Sequence, residues 1–250
     1  MTNSIRAAGI LLTVLLAGVG TADLFAFRAP GAANGRPLRI VAFGDSTTAT
    51  RRTVNAVYAA RLPKLLKKRG VTATVVNAGV GGSHTGRLKD NARHKVRHAL
   101  DRLDAAVRKQ KPDVVVVQFG INDSWVDSGK RGGKSRIPLA DYRKNLTRIV
   151  RTLKKDGVRV ILMTPNKIGG KHPAWRVALL SRYADAARNT ARREGVELVD
   201  VWMAFERYEK SSGKDRATLM LDGVHPNDSG HALVAKLLSE LIAQPKRRPR

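Results

Sequence analysis

The sequence predicts an α/β protein, a three-layer α/β/α sandwich built on a five-stranded parallel sheet. Three observations carry this expectation. Five short runs are almost continuously apolar and rich in β-branched residues, as strands covered on both faces must be. Stretches with helical spacing alternate with them, giving a βαβαβ order that folds as a parallel sheet between helical layers. The chain has 250 residues, 42% hydrophobic and 27% charged, enough for one domain with its own core and short for two.

In chain order, Arg6 precedes an apolar run from Ala7 to Val19, followed by Gly20, Thr21 and Ala22. This is the layout of a secretory signal peptide over 1–22, with cleavage after Ala22. The run falls short of the ~20 apolar residues of a spanning helix; an uncleaved anchor is the alternative. Residues 23–37 form a flexible lead-in rich in Pro, Gly and Ala. The domain is expected over 38–244, with strands at Leu38 to Phe43, Ala73 to Ala78, Val114 to Phe119, Val158 to Thr164 and Val196 to Val201. Helices are expected over Val54 to Arg69, Lys95 to Lys109, Leu139 to Lys155, Trp175 to Glu194 and Ser229 to Ala243. The insertions Asp127 to Ser135 and Asn166 to Pro173 follow strand C-terminal ends, where ligands bind in open α/β sheets. Residues 245–250 form a basic tail.

Composition narrows the chemistry. The chain has no cysteine, which excludes disulfides, thiolate zinc sites, a cysteine nucleophile and a lipid-modified cysteine. Lys and Arg number 47 against 20 Asp and Glu, a formal net charge of +27. Such a field attracts polyanions, among them anionic cell-envelope polymers. No zinc-finger or RNA-binding motif accompanies the charge and aromatics make up only 5%, so no specific nucleic-acid partner is expected.

Four segments bear functional groups, each where a strand ends or where the last helix begins. Gly44-Asp45-Ser46 places a hydroxyl past the first strand; such a hydroxyl needs a neighbouring base to become a nucleophile. Asn77 to Gly82 is a glycine-rich turn whose N–H groups a ligand can approach. It lacks the G-x-G-x-x-G spacing of a dinucleotide loop, because His84 stands three positions after Gly81. Gly120-Ile121-Asn122-Asp123 sets an amide at the same rim. Asp222-Gly223-Val224-His225 holds a carboxylate and an imidazole three positions apart, a pair in which the carboxylate can fix the ring tautomer.

Taken together and in this order, the four segments resemble the marker blocks of the SGNH (GDSL-like) hydrolase family, over nearly the whole mature chain. The resemblance implies the family's flavodoxin-like fold and a serine esterase that uses no metal or organic cofactor. It implies Ser46 as nucleophile, Asp222 and His225 as its acid/base pair, and Gly82 and Asn122 with the Ser46 N–H as oxyanion donors. Thr47 departs from the leucine usual at that position. The wider run through Trp125, and Ile161 to Pro165, look like a bacterial branch of carbohydrate-directed esterases. The expected substrate is therefore a short acyl group, acetyl, on a glycan, and the expected location is outside the cytoplasm, with no stable membrane insertion after signal removal. The rival readings are a lysophospholipase or thioesterase on longer acyl chains, and a non-catalytic polyanion-binding envelope protein. Among the other histidines, His84 reads as a surface residue, His94 and His98 lie one helical turn apart without a third metal ligand, and His231 has no evident partner.

Overall fold

A computed structural model describes residues 36–170 and 172–244. The expected signal peptide (1–22), nearly all of the lead-in (23–37) and the basic tail (245–250) lie outside them. No helix among the described residues is long and apolar enough to cross a membrane.

Strands β1 (Leu38–Gly44), β2 (Ala73–Gly79), β3 (Val114–Gln118), β4 (Arg159–Met163) and β5 (Glu197–Val199) form one parallel sheet in the order β2-β1-β3-β4-β5. Side chains alternate across the pleat. Ile40, Ala42, Val114, Val116, Ile161 and Met163 pack into one core cluster, which includes residues of α1 (Tyr58–Lys67) and α7 (Asp228–Ala243). Val41, Phe43, Val115, Val117 and Leu162 pack into the other, with residues of α4 (Leu139–Lys155) and α5 (Ala174–Glu194). The sheet is thus covered on both faces, the expected three-layer sandwich. The order reverses direction between β1 and β3, and their C-terminal ends border the crevice where such sheets bind ligands.

The structure corrects the expected elements in three places. The Lys95 to Lys109 helix is regular only over Ala99–Arg102 (α2); it continues as a π-helical turn, Leu103–Val107, and a 3-10 turn, Arg108–Gln110. The wider turn follows directly on Arg102, whose guanidinium is buried against the strand ends. Helix α1 starts at Tyr58 rather than Val54, because Asn55 and Ala56 donate their backbone N–H groups to Asp228 at 3.0 and 3.2 Å.

The last strand stops at Val199, and Val201 opens a helix, α6 (Val201–Ser212), that the sequence reading left unassigned. Asp200 caps it by accepting from Met203 N at 3.1 Å and is held by the Arg188 guanidinium at 2.7 Å. Between β3 and α4 lies one further short helix, α3 (Ile121–Ser124).

Candidate active site

Past β1, the backbone makes one tight turn in which Thr48 and Ala49 donate to Asp45 O at 3.1 and 3.0 Å. The Asp45 side chain is buried, and its Oδ1 accepts from Thr47 N at 2.9 Å and Thr47 Oγ1 at 2.8 Å. Burial raises the Asp45 carboxyl above its ordinary range, against the pull of those bonds. Thr47 Oγ1 also lies 3.2 Å from Gln118 Oε1, and Gln118 donates to Thr164 O at 3.3 Å. A leucine at 47 would forfeit these contacts. With its two neighbours pinned inward, Ser46 is left half-buried at the rim.

The glycine-rich turn is tied to the same spot. Asn77 donates to Thr48 O at 2.8 Å and accepts from Gly79 N at 2.9 Å, while Val80 donates to Gly44 O at 3.1 Å. Gly82 has φ +73°, and a Cβ there would stand 2.5 Å from the His94 ring, so a side chain is excluded twice over. Asn122, on α3, donates its amide to Ser83 O at 3.1 Å and accepts from Arg136 Nη1 at 3.0 Å. Arg136 is in turn gripped by Asp127 at 2.7 Å. The amide is thereby locked with its nitrogen toward the Gly82 loop. Neither Ser46 N nor Gly82 N donates to any group among the described residues.

Beneath the rim, Arg102 donates to Ala78 O, to Gly44 O at 2.7 Å and to Ser83 Oγ at 3.3 Å, with its guanidinium 4.5 Å from the Phe43 ring centroid. Burial lowers it to about 10, partly offset by Asp45. Next to Asn122, Asp123 is fully buried and raised to about 7 by desolvation, although Thr85 donates to it from N at 2.9 Å.

The loop before α7 brings the remaining groups. It is closed by the Met220–Pro226 bridge and by Leu221 N donating to His225 O at 2.8 Å, and Asn227 caps the helix by accepting from Ser229 N and Gly230 N at 3.0 and 3.1 Å. Asp222 Oδ1 accepts from Val224 N and His225 N at 3.0 and 2.8 Å, and its Oδ2 lies 2.7 Å from His225 Nδ1. Burial would raise this carboxyl, but the bonds from His225 and Val224 outweigh it and bring it down to about 2. A carboxylate there calls for a proton on Nδ1, so Nε2 is the acceptor. It sits 2.9 Å from Ser46 Oγ.

The structure therefore joins Ser46, His225 and Asp222 in one hydrogen-bonded chain, and connects Asn122 to the Gly82 loop through Ser83. Sequence reasoning missed the supports: Arg102, Arg136, Asp127 and Gln118. Arg136 stood one residue beyond the recognised insertion, and a long charged side chain at the end of a basic loop carries no sign that it will be buried. The histidines depart from expectation. His84 is buried, not on the surface, and stacks on His98 with centroids 3.4 Å apart. His94 and His98 precede α2 instead of sharing a helix. His231 has a partner, accepting from Tyr58 N at 3.3 Å. Among the described residues no group of three or more metal-ligating side chains is assembled.

Both the sequence and the fold are similar to those of known proteins. The GDSL-like Lipase/Acylhydrolase family matches residues 42–233. An uncharacterized lipoprotein, YqeF, of Bacillus subtilis is 30% identical over 79% of this chain and 83% of its own length. An acetylxylan esterase of Geobacillus stearothermophilus is 29% identical over 65% of this chain and 68% of its own. The crystal structure of an acetylxylan esterase from that organism superposes with a TM-score of 0.67 at 26% identity, covering 85% of this chain and 97% of the other. A lipase/acylhydrolase from Enterococcus faecalis gives 0.64 at 25% identity, covering 84% and 100%. The protein is a carboxylic ester hydrolase. It belongs to the GDSL-like lipase/acylhydrolase family, the SGNH hydrolases.

Proposed function

We propose that the protein is an exported serine esterase that removes short acyl groups, acetyl above all, from a carbohydrate. The observation that carries the chemistry is the continuous chain Ser46 Oγ to His225 Nε2 at 2.9 Å and His225 Nδ1 to Asp222 at 2.7 Å. His225 takes the Ser46 proton as the oxygen attacks the ester carbonyl. The proton then passes to the leaving alkoxide, giving an acyl-enzyme. A water deprotonated by the same imidazole releases the acid and restores the serine.

The charge that develops on the carbonyl oxygen is received by the uncommitted N–H groups of Ser46 and Gly82 and by the second amide N–H of Asn122. Asp222, held ionised down to about pH 2, keeps the ring in the accepting tautomer and stabilises the imidazolium. The choice of an acetylated glycan is supported by the acetylxylan esterases among the relatives. Export is supported by the leader-like residues 1–22 and by a relative that is a lipoprotein; this chain has no cysteine to carry a lipid. The +27 charge would hold the enzyme close to an anionic envelope polymer.

The test is hydrolysis of a p-nitrophenyl ester series of increasing chain length by wild type and Ser46→Ala. Activity that peaks at acetate and disappears in the variant supports the reading. A preference for long chains would replace it with a lipid-directed esterase, and equal activity in both proteins would remove Ser46.

A further inference from the structure

Against Trp125, three residues past Asn122, stands a cation that forms no ion pair among the described residues. Arg176, in the first turn of α5, packs against two indoles, with its guanidinium carbon 4.1 Å from the Trp125 centroid and 4.9 Å from that of Trp175. Its Nη2 makes one long bond, to Val126 O at 3.4 Å, and its Nη1 is buried with no hydrogen-bond partner among the described residues. The nearest acidic side chain is already spent: Asp127 is bound by Arg136 through both Nε and Nη2, at 3.0 and 2.7 Å. Burial and the neighbouring Arg136 act against the charge on Arg176 and outweigh the attraction of Asp127. An arginine packed against aromatic rings, in no ion pair and with its Nη2 in a single long bond, is poised to accept an oxyanion.

Its place in the fold ties it to the reaction. Trp125 follows three residues after Asn122 and donates its backbone N–H to Asn122 O at 3.3 Å. Trp125 also meets His172 edge-to-face, with centroids 5.8 Å apart, and His172 belongs to the loop whose Gly169 N donates to Gly223 O at 2.9 Å, between Asp222 and His225. The Trp125–Arg176 pair thus bridges the Asn122 side of the site and the loop that carries the base. Trp175 continues outward into a groove of about 470 Å³ that Arg131 and Arg182 also line.

Building on the esterase reading, we propose that Trp125 and Arg176 form a subsite for a negatively charged sugar: the natural substrate carries a carboxylate or phosphate on the unit that bears the acyl ester or on its neighbour. The sugar ring lies in the groove that Trp175 lines, and its oxyanion takes the weakly held Nη2 of Arg176. The carboxylate and the phosphate share this chemistry, and the assay separates them.

The experiment compares kcat/KM at low salt on acetylated methyl glucuronide, acetylated glucose 1-phosphate and acetylated methyl glucoside, for wild type, Arg176→Gln and Arg192→Gln. Arg192→Gln is an equal charge change on the exposed face of α5. Wild type should prefer one anionic ester over the neutral one by about tenfold, the worth of one charge-assisted hydrogen bond. Arg176→Gln should lose that preference through KM, and Arg192→Gln should keep it. Equal use of the three esters by wild type, or an equal loss of preference in the two variants, overturns the subsite.

The subsite is also read without turnover, by titrating the tryptophan fluorescence with unesterified glucuronate and glucose 1-phosphate. Saturable quenching that weakens about tenfold in Arg176→Gln alone supports the subsite even if no ester is hydrolysed, which would instead be the failure of the esterase reading. Absence of saturable quenching in wild type contradicts it.

Discussion

Ser46 and Asn122 stand on the ends of β1 and β3, and nearly every side chain around them is buried: Asp45, Thr47, Gln118, Arg102 and Arg136. Asp222 and His225 ride on a loop, where the Asp222 side chain remains 53% exposed and His225 20%. The first region gets its geometry from the sheet, so its supports are also supports of the fold. The second gets its geometry from a few loop closures, the Met220–Pro226 bridge, the Gly169–Gly223 bond and the Asn227 cap. Chemistry and stability should therefore be coupled at the rim and separable on the loop.

The largest effect should come from His225→Ala, which removes the proposed base without touching the core. Turnover should fall on the order of 10⁵-fold or more while the melting temperature holds, as read by ester hydrolysis alongside calorimetry. A large drop in melting temperature would break the contrast between loop and rim. Asn122→Ala should cost ~10²–10³ in kcat and also destabilise the protein, because it leaves Ser83 O without its donor and the buried Arg136 Nη1 without its acceptor. If stability were untouched, the rim would be no more embedded than the loop.

A subtler probe is Gly223→Ala. At φ +81° an added Cβ would stand 2.7 Å from Gly169 O, pushing the loop away from Ser46. Small displacements of this kind cost up to about 10² in rate, so kcat should fall by tens of fold, with a stability loss of about 1–2 kcal/mol from the positive φ. An unchanged kcat would mean that the Gly169 contact does not position the base.

The smallest effect is electrostatic. Asp123 is raised to about 7 by burial, so the folded state prefers its neutral acid. The unfolded chain releases that proton near its ordinary value of 3.8, so this group's contribution to stability declines as pH rises from about 4 to 7. Asp123→Asn should therefore gain melting temperature relative to wild type as pH increases from 5 to 8. His98 and His231 act in the opposite direction. Burial lowers both to about 4 from 6.5, so the unfolded chain takes up their protons first and stability falls as pH drops from about 6.5 to 4. A pH-independent difference between Asp123→Asn and wild type would show that the rim carboxyl is not held neutral.

The layers, the five strands and the four site segments could be read from the sequence because each is a local pattern: β-branched runs, helical spacing, and glycine or polar residues where strands end. Helix α6 escaped because Val196 to Val201 reads as one apolar run, and only the Asp200 carboxylate, bonded to Met203 N, divides strand from helix. The regular helix expected over Lys95 to Lys109 failed because Arg102 is directed inward to the carbonyls of Gly44 and Ala78. That is a tertiary demand, made by strand ends distant in sequence. His84 likewise looks like a surface residue until His98 is brought against it. In the candidate site, the residues proposed to react were legible as motifs and their supports were not, since Arg136, Asp127 and Gln118 act only through contacts the fold creates.

The central claim is that Ser46 attacks the ester carbonyl and is acylated, and covalent trapping tests it most directly. The protein is treated with a p-nitrophenyl alkylphosphonate, digested, and mapped by mass spectrometry. The account predicts one phosphonylated site, Ser46, formed in step with loss of activity and absent from His225→Ala on the same time scale. Inactivation with the adduct on another residue, or esterase activity that survives full modification of Ser46, would contradict it.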